Sequence, residues 1–289
     1  MGAASRVADT VDVTPVAVIL ARGLGTRMRS GGAQGLSDAQ AAAAAGGQKG
    51  MMPLPGQDGR IRPFLDYGLS ALADAGFADV ILVVPPPTTG ASDPLRAYYT
   101  GEGRPARVCV TFAVQQEPRG TADALVAAAE AINGRPFVVV NADNVYDTDD
   151  LRALYEASGP ALPVYARDRL VELSGIPAER VGAFALLTIA DGTLCDVVEK
   201  PGTEAIAAAG PDAAISMNCW RGDDRLLQAC RDVPISPRGE FELPAAIRLA
   251  LSRGVRFAAI AARGPVLDLS RPEDVPGVAR RLASLEARP

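Results

Sequence analysis

The stretch PVAVILARGLGTRMRS, residues 15–30, runs five apolar residues into a glycine turn set among three arginines, Arg22, Arg27 and Arg29. Leu20 closes a strand. Gly23 and Gly25 let the backbone turn tightly and aim its amides at an anion. Arg27 adds a bidentate fork that suits phosphate. The pattern is neither the full dinucleotide fingerprint nor a P-loop. An ordinary strand-to-helix connection has the same outline, so the choice rests on the rest of the chain.

Working outward, short apolar runs alternate with helical patterns. Strands are expected at 16–20, 80–84, 108–114, 137–140, 162–166, 183–189, 194–199, 215–220 and 257–261. Helices are expected at 63–75, 121–132, 148–157, 223–230, 241–252 and 271–285. In the first helix Pro63 suits the opening position, Leu65, Leu69 and Leu72 share a face, and Gly76 suits the stop. Such alternation predicts an α/β fold with a mostly parallel mixed sheet flanked by helices. Ligands of such sheets bind beyond the carboxyl ends of the strands. Residues 31–47, with AAAAAGG, have little to bury, and 85–94 read as a loop. With no repeat and no dividing linker, the expectation is an N-terminal extension over 1–14. A single domain over 15–289, with a mobile loop at 30–48, follows it.

A length of 289 residues with 48% hydrophobic and 22% charged side chains gives a globular chain with a sizeable core. The net charge of −5 leaves no basic surplus to release phosphate counterions, so a nucleic-acid partner is not expected. The apolar runs are too short to cross a bilayer. MGAASRVADT has no hydrophobic signal core, and Arg6 breaks the myristoylation pattern. A cytoplasmic protein without a membrane partner is therefore expected. Cys109, Cys195, Cys219 and Cys230 form no Cys-x-x-Cys pair and read as reduced thiols. The chain has no histidine, which excludes a Ser-His-Asp triad, a Cys-His pair and a histidine-held metal. Its chemistry must run on carboxylates, lysine, arginine, backbone amides or a metal held by oxygen.

Five further stretches stand at strand or helix ends. GGQKGMMPLPG sets Lys49 among glycines, although most lysines are simply solvated. In VQQEPRGTADAL, Gln115 or Gln116 can read a base edge with both donor and acceptor; Thr121 alone would account for a capped helix. PFVVVNADNVYD places Asp143 just past a strand, where it can hold a hard cation or cap a turn. In VVEKPG the turn before Pro201 can bring both Glu199 and Lys200 into a cleft, or leave a surface pair. GPVLDLSRPEDV puts Asp268 after an apolar run and opens a helix behind it.

In this order the segments resemble the sugar-1-phosphate nucleotidyltransferases, or NDP-sugar pyrophosphorylases. LARGLGTRM is similar to that family's Leu-Ala-Ala/Gly-Gly-x-Gly-Thr-Arg signature, and QKGMMPL to its Pro-Lys-x-Leu-Leu-Pro segment. QQEPRGTADAL resembles the base-reading segment, NADNVY the metal-aspartate segment and EKP the sugar-phosphate motif. ISMNCW, FELPAAI and VLDLSRPEDV resemble later segments, so the resemblance runs from about Val16 to Val275. Arg22 stands where the family has Ala or Gly, Gln48 replaces a proline, and an Ala/Gly-rich insertion of about a dozen residues separates Arg27 from Lys49. Too few residues follow Asp268 for a C-terminal repeat domain, so none is expected.

The resemblance implies a Rossmann-like nucleotidyltransferase fold of the GT-A kind. It implies that an NTP and a sugar 1-phosphate give an NDP-sugar and pyrophosphate. It assigns Leu20, Ala21, Gly23, Gly25, Thr26, Gln115, Gly120 and Thr121 to the nucleotide. Gly182, Glu199, Lys200 and Asn218 go to the sugar phosphate. Arg27, Lys49, Asp143 and Lys200 serve catalysis, and Asp143 with Asp268 holds Mg²⁺. A homo-oligomer is left open. Two rivals remain: a cytidylyltransferase acting on a phosphorylated alcohol such as phosphocholine, and a non-catalytic nucleotide-sugar-binding paralogue that regulates a partner.

Overall fold

The computed structural model describes residues 14–32, 34–87 and 93–289. The expected extension over 1–14 lies outside these residues except for Thr14. The strands are β1 (Val16–Leu20), β2 (Pro53–Pro55), β3 (Ile61–Pro63), β4 (Asp79–Val84), β5 (Cys109–Val114), β6 (Phe137–Asn141), β7 (Asn144–Tyr146), β8 (Ala161–Ala166), β9 (Ala185–Ala190), β10 (Thr193–Val198), β11 (Ala214–Ser216), β12 (Trp220–Gly222), β13 (Ala258–Ala261) and β14 (Val266–Asp268). The helices are α1 (Thr26–Ser30), α2 (Asp38–Ala45), α3 (Phe64–Ala75), α4 (Pro94–Thr100), α5 (Thr121–Ala127), α6 (Ala129–Ile132), α7 (Thr148–Glu156), α8 (Arg167–Ser174), α9 (Thr203–Ala209), α10 (Asp224–Asp232), α11 (Leu243–Ser252) and α12 (Val275–Leu282).

The main sheet has ten strands in the order β11-β9-β10-β13-β8-β12-β6-β1-β4-β5. Its longest continuous ladders, β1 with β4 and β6, and β4 with β5, are parallel. The other half is mixed, with β12 antiparallel to β6 and β9 antiparallel to β10. Alternate side chains of β1 enter opposite layers, as a strand's period of two requires. Ala17 and Ile19 join Leu65, Leu69 and Leu72 of α3 and Leu154 of α7. Val16 and Val18 join Leu125 of α5, Leu226 of α10 and Ile247 of α11. The helices therefore cover both faces, and the carboxyl ends of β1, β4, β5 and β6 share one edge.

Several boundaries differ from expectation. The strand expected at 215–220 splits into β11 and β12, because Asn218 takes a left-handed φ of 59° and interrupts the ladder. The helix expected at 121–132 breaks at Ala128 into α5 and α6. Residues 31–47 do have something to bury. Ser37 and Gln40 form a capping box for α2, and its Ala43 and Ala44 pack with Met28, Met52 and Leu54. Alanine is small enough to bury without a strong amphipathic pattern, and that hid the helix. Cys219 and Cys230 are buried, Cys109 and Cys195 are exposed, and all four are free thiols.

Candidate active site

The carboxyl ends of the parallel strands carry the first group of expected residues. β1 ends at Leu20; the Leu20 carbonyl accepts from Ala142 N and Ala21 N donates to Val83 O, so the loop 22–25 leaves from a backbone locked on both flanks. Gly25 caps α1 with a left-handed φ of 62°. A Cβ there would lie 2.3 Å from the Gly47 carbonyl oxygen, so only glycine lets this loop close on the segment behind α2. Nothing stands within 4 Å of a Cβ built on Gly23, which leaves space above its amide. Thr26 and Arg27 are exposed on α1, and among the described residues Arg27 pairs with no carboxylate.

At the end of β5, Gln115 is 3% exposed, whereas Gln116 is exposed. Both hydrogens of the Gln115 amide are committed: Nε2 donates to Gly120 O (3.1 Å) and to Asp123 Oδ2 (2.8 Å). Its Oε1 remains as an acceptor. Arg22 donates through Nε to the Gln115 carbonyl at 3.4 Å. Gly120 lies against the Phe241 backbone, which accepts from Ala122 N and donates to Arg119 O. The Thr121 hydroxyl accepts from Leu243 N at 2.9 Å, at the start of α11, and thereby ties the Gly120 turn to that helix.

Behind β6, the β7–β14 ladder pairs Asn144 with Asp268, and Leu269 N donates to Asp143 O at 2.9 Å. Asp143 and Asp268 are thus brought together across 125 positions of sequence. Burial, reinforced by the neighbouring Asp143 charge, pushes the Asp268 carboxyl up to about 6. Lys49 Nζ donates to Asp143 Oδ2 at 2.7 Å. Asp268 Oδ1 accepts from Asn144 Nδ2 (3.2 Å) and Ser270 Oγ (3.1 Å), and Oδ2 accepts from Arg180 at 2.6 Å. Two neighbouring carboxylates, that of Asp268 buried, offer the hard oxygen donors that Mg²⁺ or Mn²⁺ takes, so the residues fit such a cation.

The mixed half carries the other expected residues. Glu199 is half-buried at the end of β10, and burial raises its carboxyl from the ordinary range. Lys200 follows with φ of 48°, as Asn218 has 59°. Left-handed conformations in residues other than glycine are strained, and here two of them fall on expected sugar-site residues. Gly182, in a short 3₁₀ turn over Ala178–Ala183, accepts from Gly202 N at 3.3 Å. It brings the Glu-Lys-Pro-Gly turn against the base of β9.

Two functional candidates escaped sequence reasoning. Arg238 pairs with Glu242 and comes within 4.0 Å of Glu199. The Arg-Gly turn just before FELPAAI was the signal. Arg180 bridges Asp268 and Asp274, and nothing in its local sequence marks it. Lysine occurs only twice in the chain, against 29 basic residues in all: Lys49 beside Asp143, and Lys200, which is exposed in the turn after β10.

The parallel edge, the glycine loop and the facing aspartates define a nucleotidyl-transferring α/β protein. The Nucleotidyl transferase family model matches residues 45–264, and the chain belongs to that family. The resemblance to sugar-1-phosphate nucleotidyltransferases is borne out by similar proteins. A glucose-1-phosphate thymidylyltransferase of Mycolicibacterium smegmatis is 26% identical over 70% of this chain, which spans 65% of that protein's length. A UTP–glucose-1-phosphate uridylyltransferase, AglF of Haloferax volcanii, is 27% identical over 92% of this chain and 96% of its own. A UDP-glucose pyrophosphorylase solved with UDP-glucose shares the fold at a TM-score of 0.68 and 17% identity. That match covers 93% of this chain and 98% of the other. No helix among the described residues is long and apolar enough to cross a membrane.

Proposed function

We propose that this chain transfers a nucleotidyl group from an NTP to a sugar 1-phosphate, releasing pyrophosphate. The observation that carries this reading is the meeting of Asp143 and Asp268 beside Lys49, at the carboxyl edge that holds the glycine loop. A phosphate oxygen of the sugar 1-phosphate attacks the α-phosphorus as its bond to the bridging oxygen breaks. That nucleophile is already anionic at neutral pH, so no general base is required, in keeping with a chain that lacks histidine. The barrier is repulsion between anions, which positioning and fixed positive charge must offset.

The amides of 23–26 and Arg27 hold the triphosphate and stabilise the departing pyrophosphate. Lys49 moves from Asp143 onto the reacting phosphates. Lys200 grips the sugar phosphate, with Arg238 near it, while Glu199 accepts from sugar hydroxyls and Gly182 and Asn218 shape the pocket. Asp143 and Asp268 would hold Mg²⁺, which when bound screens the charge on the α-phosphate. The segment 30–48, leaning on Gly25 through Gly47, tightens over the nucleotide.

The base is proposed to be uracil or thymine. With both Gln115 amide hydrogens committed, its Oε1 requires a base edge that donates, which the ring N–H of uracil, thymine or guanine does and the bare ring nitrogen of cytosine or adenine at the corresponding position does not; of the three donors, uracil and thymine are the ones proposed. The names of the uridylyl- and thymidylyltransferase relatives support this, and it disfavours the cytidylyltransferase rival. The test is a panel of UTP, dTTP, GTP, CTP and ATP against glucose 1-phosphate, other sugar 1-phosphates and phosphocholine, read by pyrophosphate release. Release with UTP or dTTP and a sugar 1-phosphate is expected. Release only with CTP and phosphocholine, or none with any pair, would overturn the reading.

A further inference from the structure

We infer that Arg180 is a positioning residue that stands in for the divalent cation at Asp268 and yields that carboxylate when the cation binds. This deepens the proposed function and rests on its reading of Asp143 and Asp268 as the cation ligands. Arg180 projects from the 3₁₀ turn over Ala178–Ala183, with a side chain 21% exposed. One arm of its guanidinium donates to Asp268 Oδ2 at 2.6 Å and the other to Asp274 Oδ1 at 2.5 Å. The two partners are not equivalent. Asp274 is locked, because its Oδ2 also accepts from Ser270 N (2.9 Å) and Arg271 N (2.8 Å) at the start of α12. Asp268 has no backbone anchor of that kind: its other partners are the side chains of Asn144 (3.2 Å) and Ser270 (3.1 Å), and the charge of Asp143 lies close by.

The local charge balance gives the reason. Asp143, Asp268 and Asp274 contribute three negative charges, and Lys49 and Arg180 two positive ones. The cluster is therefore one unit negative, and each aspartate of the cation pair already holds a side-chain cation. Adding a dication without displacement would set it beside Arg180 at the same carboxylate, a repulsion that burial amplifies. The Asp274 anchor lets Arg180 release Asp268 with one arm while the other stays bound. A buried carboxylate left with no cation at all is costly, so Arg180 also keeps the site intact before the cation arrives. The same turn carries Gly182 two residues on, packed against Gly202 and Thr203, the turn that the proposed function assigns to the sugar phosphate.

The test is Mn²⁺ binding without nucleotide, followed by the electron paramagnetic resonance signal of free Mn²⁺, in the wild type and in Arg180→Gln, Arg180→Lys and Asp268→Asn. Melting temperatures are measured in parallel with Mn²⁺ and with EDTA. Arg180→Gln should bind Mn²⁺ roughly tenfold more tightly than the wild type, since one opposing charge is gone. It should melt below the wild type in EDTA and recover more on adding Mn²⁺. Arg180→Lys, which keeps the charge and loses the fork, should fall between. Should Arg180→Gln not fold, tighter binding by Arg180→Lys than by wild type decides in favour. Mn²⁺ binding that Asp268→Asn abolishes but the Arg180 variants leave unchanged or weaken overturns the inference alone. Binding that Asp268→Asn leaves untouched overturns the cation reading and this inference with it.

Discussion

Gly182→Ala probes how the sugar half of the cleft is held. A Cβ on Gly182 would lie 2.8 Å from the carbonyl carbon of Gly202, 2.9 Å from Thr203 N and 3.1 Å from Gly202 O. All three are backbone atoms, so no side chain can swing aside. Ordinary contact begins near 3.4 Å, leaving a shortfall of 0.6 Å (3.4 − 2.8). The added methyl must push away the turn that follows Lys200. Overpacking of this kind costs about 1–3 kcal/mol, which corresponds to roughly 5- to 150-fold in an equilibrium or rate. Because the turn carries Glu199 and Lys200, the cost should appear as a fall in kcat/KM for the sugar 1-phosphate. The NTP KM should hardly change, because the proposed nucleotide residues lie at the ends of β1 and β5, away from this turn. Gly159→Ala, where a Cβ meets nothing within 4 Å, is the matched control. Both variants are assayed with the glucose 1-phosphate concentration varied at saturating UTP, and folding is checked by thermal melting. A folded Gly182→Ala protein whose sugar-phosphate kinetics match those of Gly159→Ala would refute the reasoning.

The two lysines allow a chemical footprint: an amine-reactive label should mark Lys200 readily and lose it when glucose 1-phosphate saturates the site, while UTP should shield Lys49. Equal labelling of Lys200 with and without sugar phosphate, read by mass spectrometry, would remove it from that role. Asp66 is 3% exposed and accepts from Tyr99 (2.8 Å) and Tyr98 (3.2 Å), and burial raises its carboxyl above 3.8. The folded state then binds more protons than the unfolded one from pH 3.8 upward, so this group's contribution to stability falls as pH rises through that window. The melting temperature of wild type relative to Asp66→Asn should therefore decline with rising pH above 3.8. A difference that grows with pH would reverse the assignment.

The order of strands and helices was legible because it rests on local patterns. Five consecutive apolar residues in β1, and Leu65, Leu69 and Leu72 along α3, report burial directly. What escaped was short, or carried no contrast. α2 is mostly alanine, α9 is TEAIAAA, and α8 has few apolar residues of its own. β7 and β14 have three residues each and exist only because they pair with one another. Their ladder is what joins Asp143 to Asp268, so the motif sequence named both aspartates while the contact between them is tertiary.

The two halves of the cleft differ in how far sequence can specify them. On the proposed nucleotide side the glycine loop and Gln115 directly follow the parallel strands β1 and β5, and strand ends can be read from apolar runs. The residues alone left Gln115 and Gln116 open and the resemblance named Gln115; what sequence did not show is that Gln115 is buried with its amide committed while Gln116 is exposed. On the sugar side the groups sit where the backbone departs from regular structure, at the left-handed Lys200 and Asn218. Arg180 and Arg238 reach that side from a 3₁₀ turn and a loop, and each is defined by carboxylates distant in sequence or by one met across a turn. Strain at Lys200 and Asn218 persists only because the surroundings over-determine it: Gly182 presses the turn after Lys200, and β11 and β12 grip either side of Asn218. Replacing Lys200 or Asn218 by glycine would therefore relieve strain and favour the folded state, while removing the charge or amide proposed to meet the sugar phosphate. Stability and turnover should move in opposite directions at these two positions, which is how a residue retained for its chemistry differs from one retained for its turn.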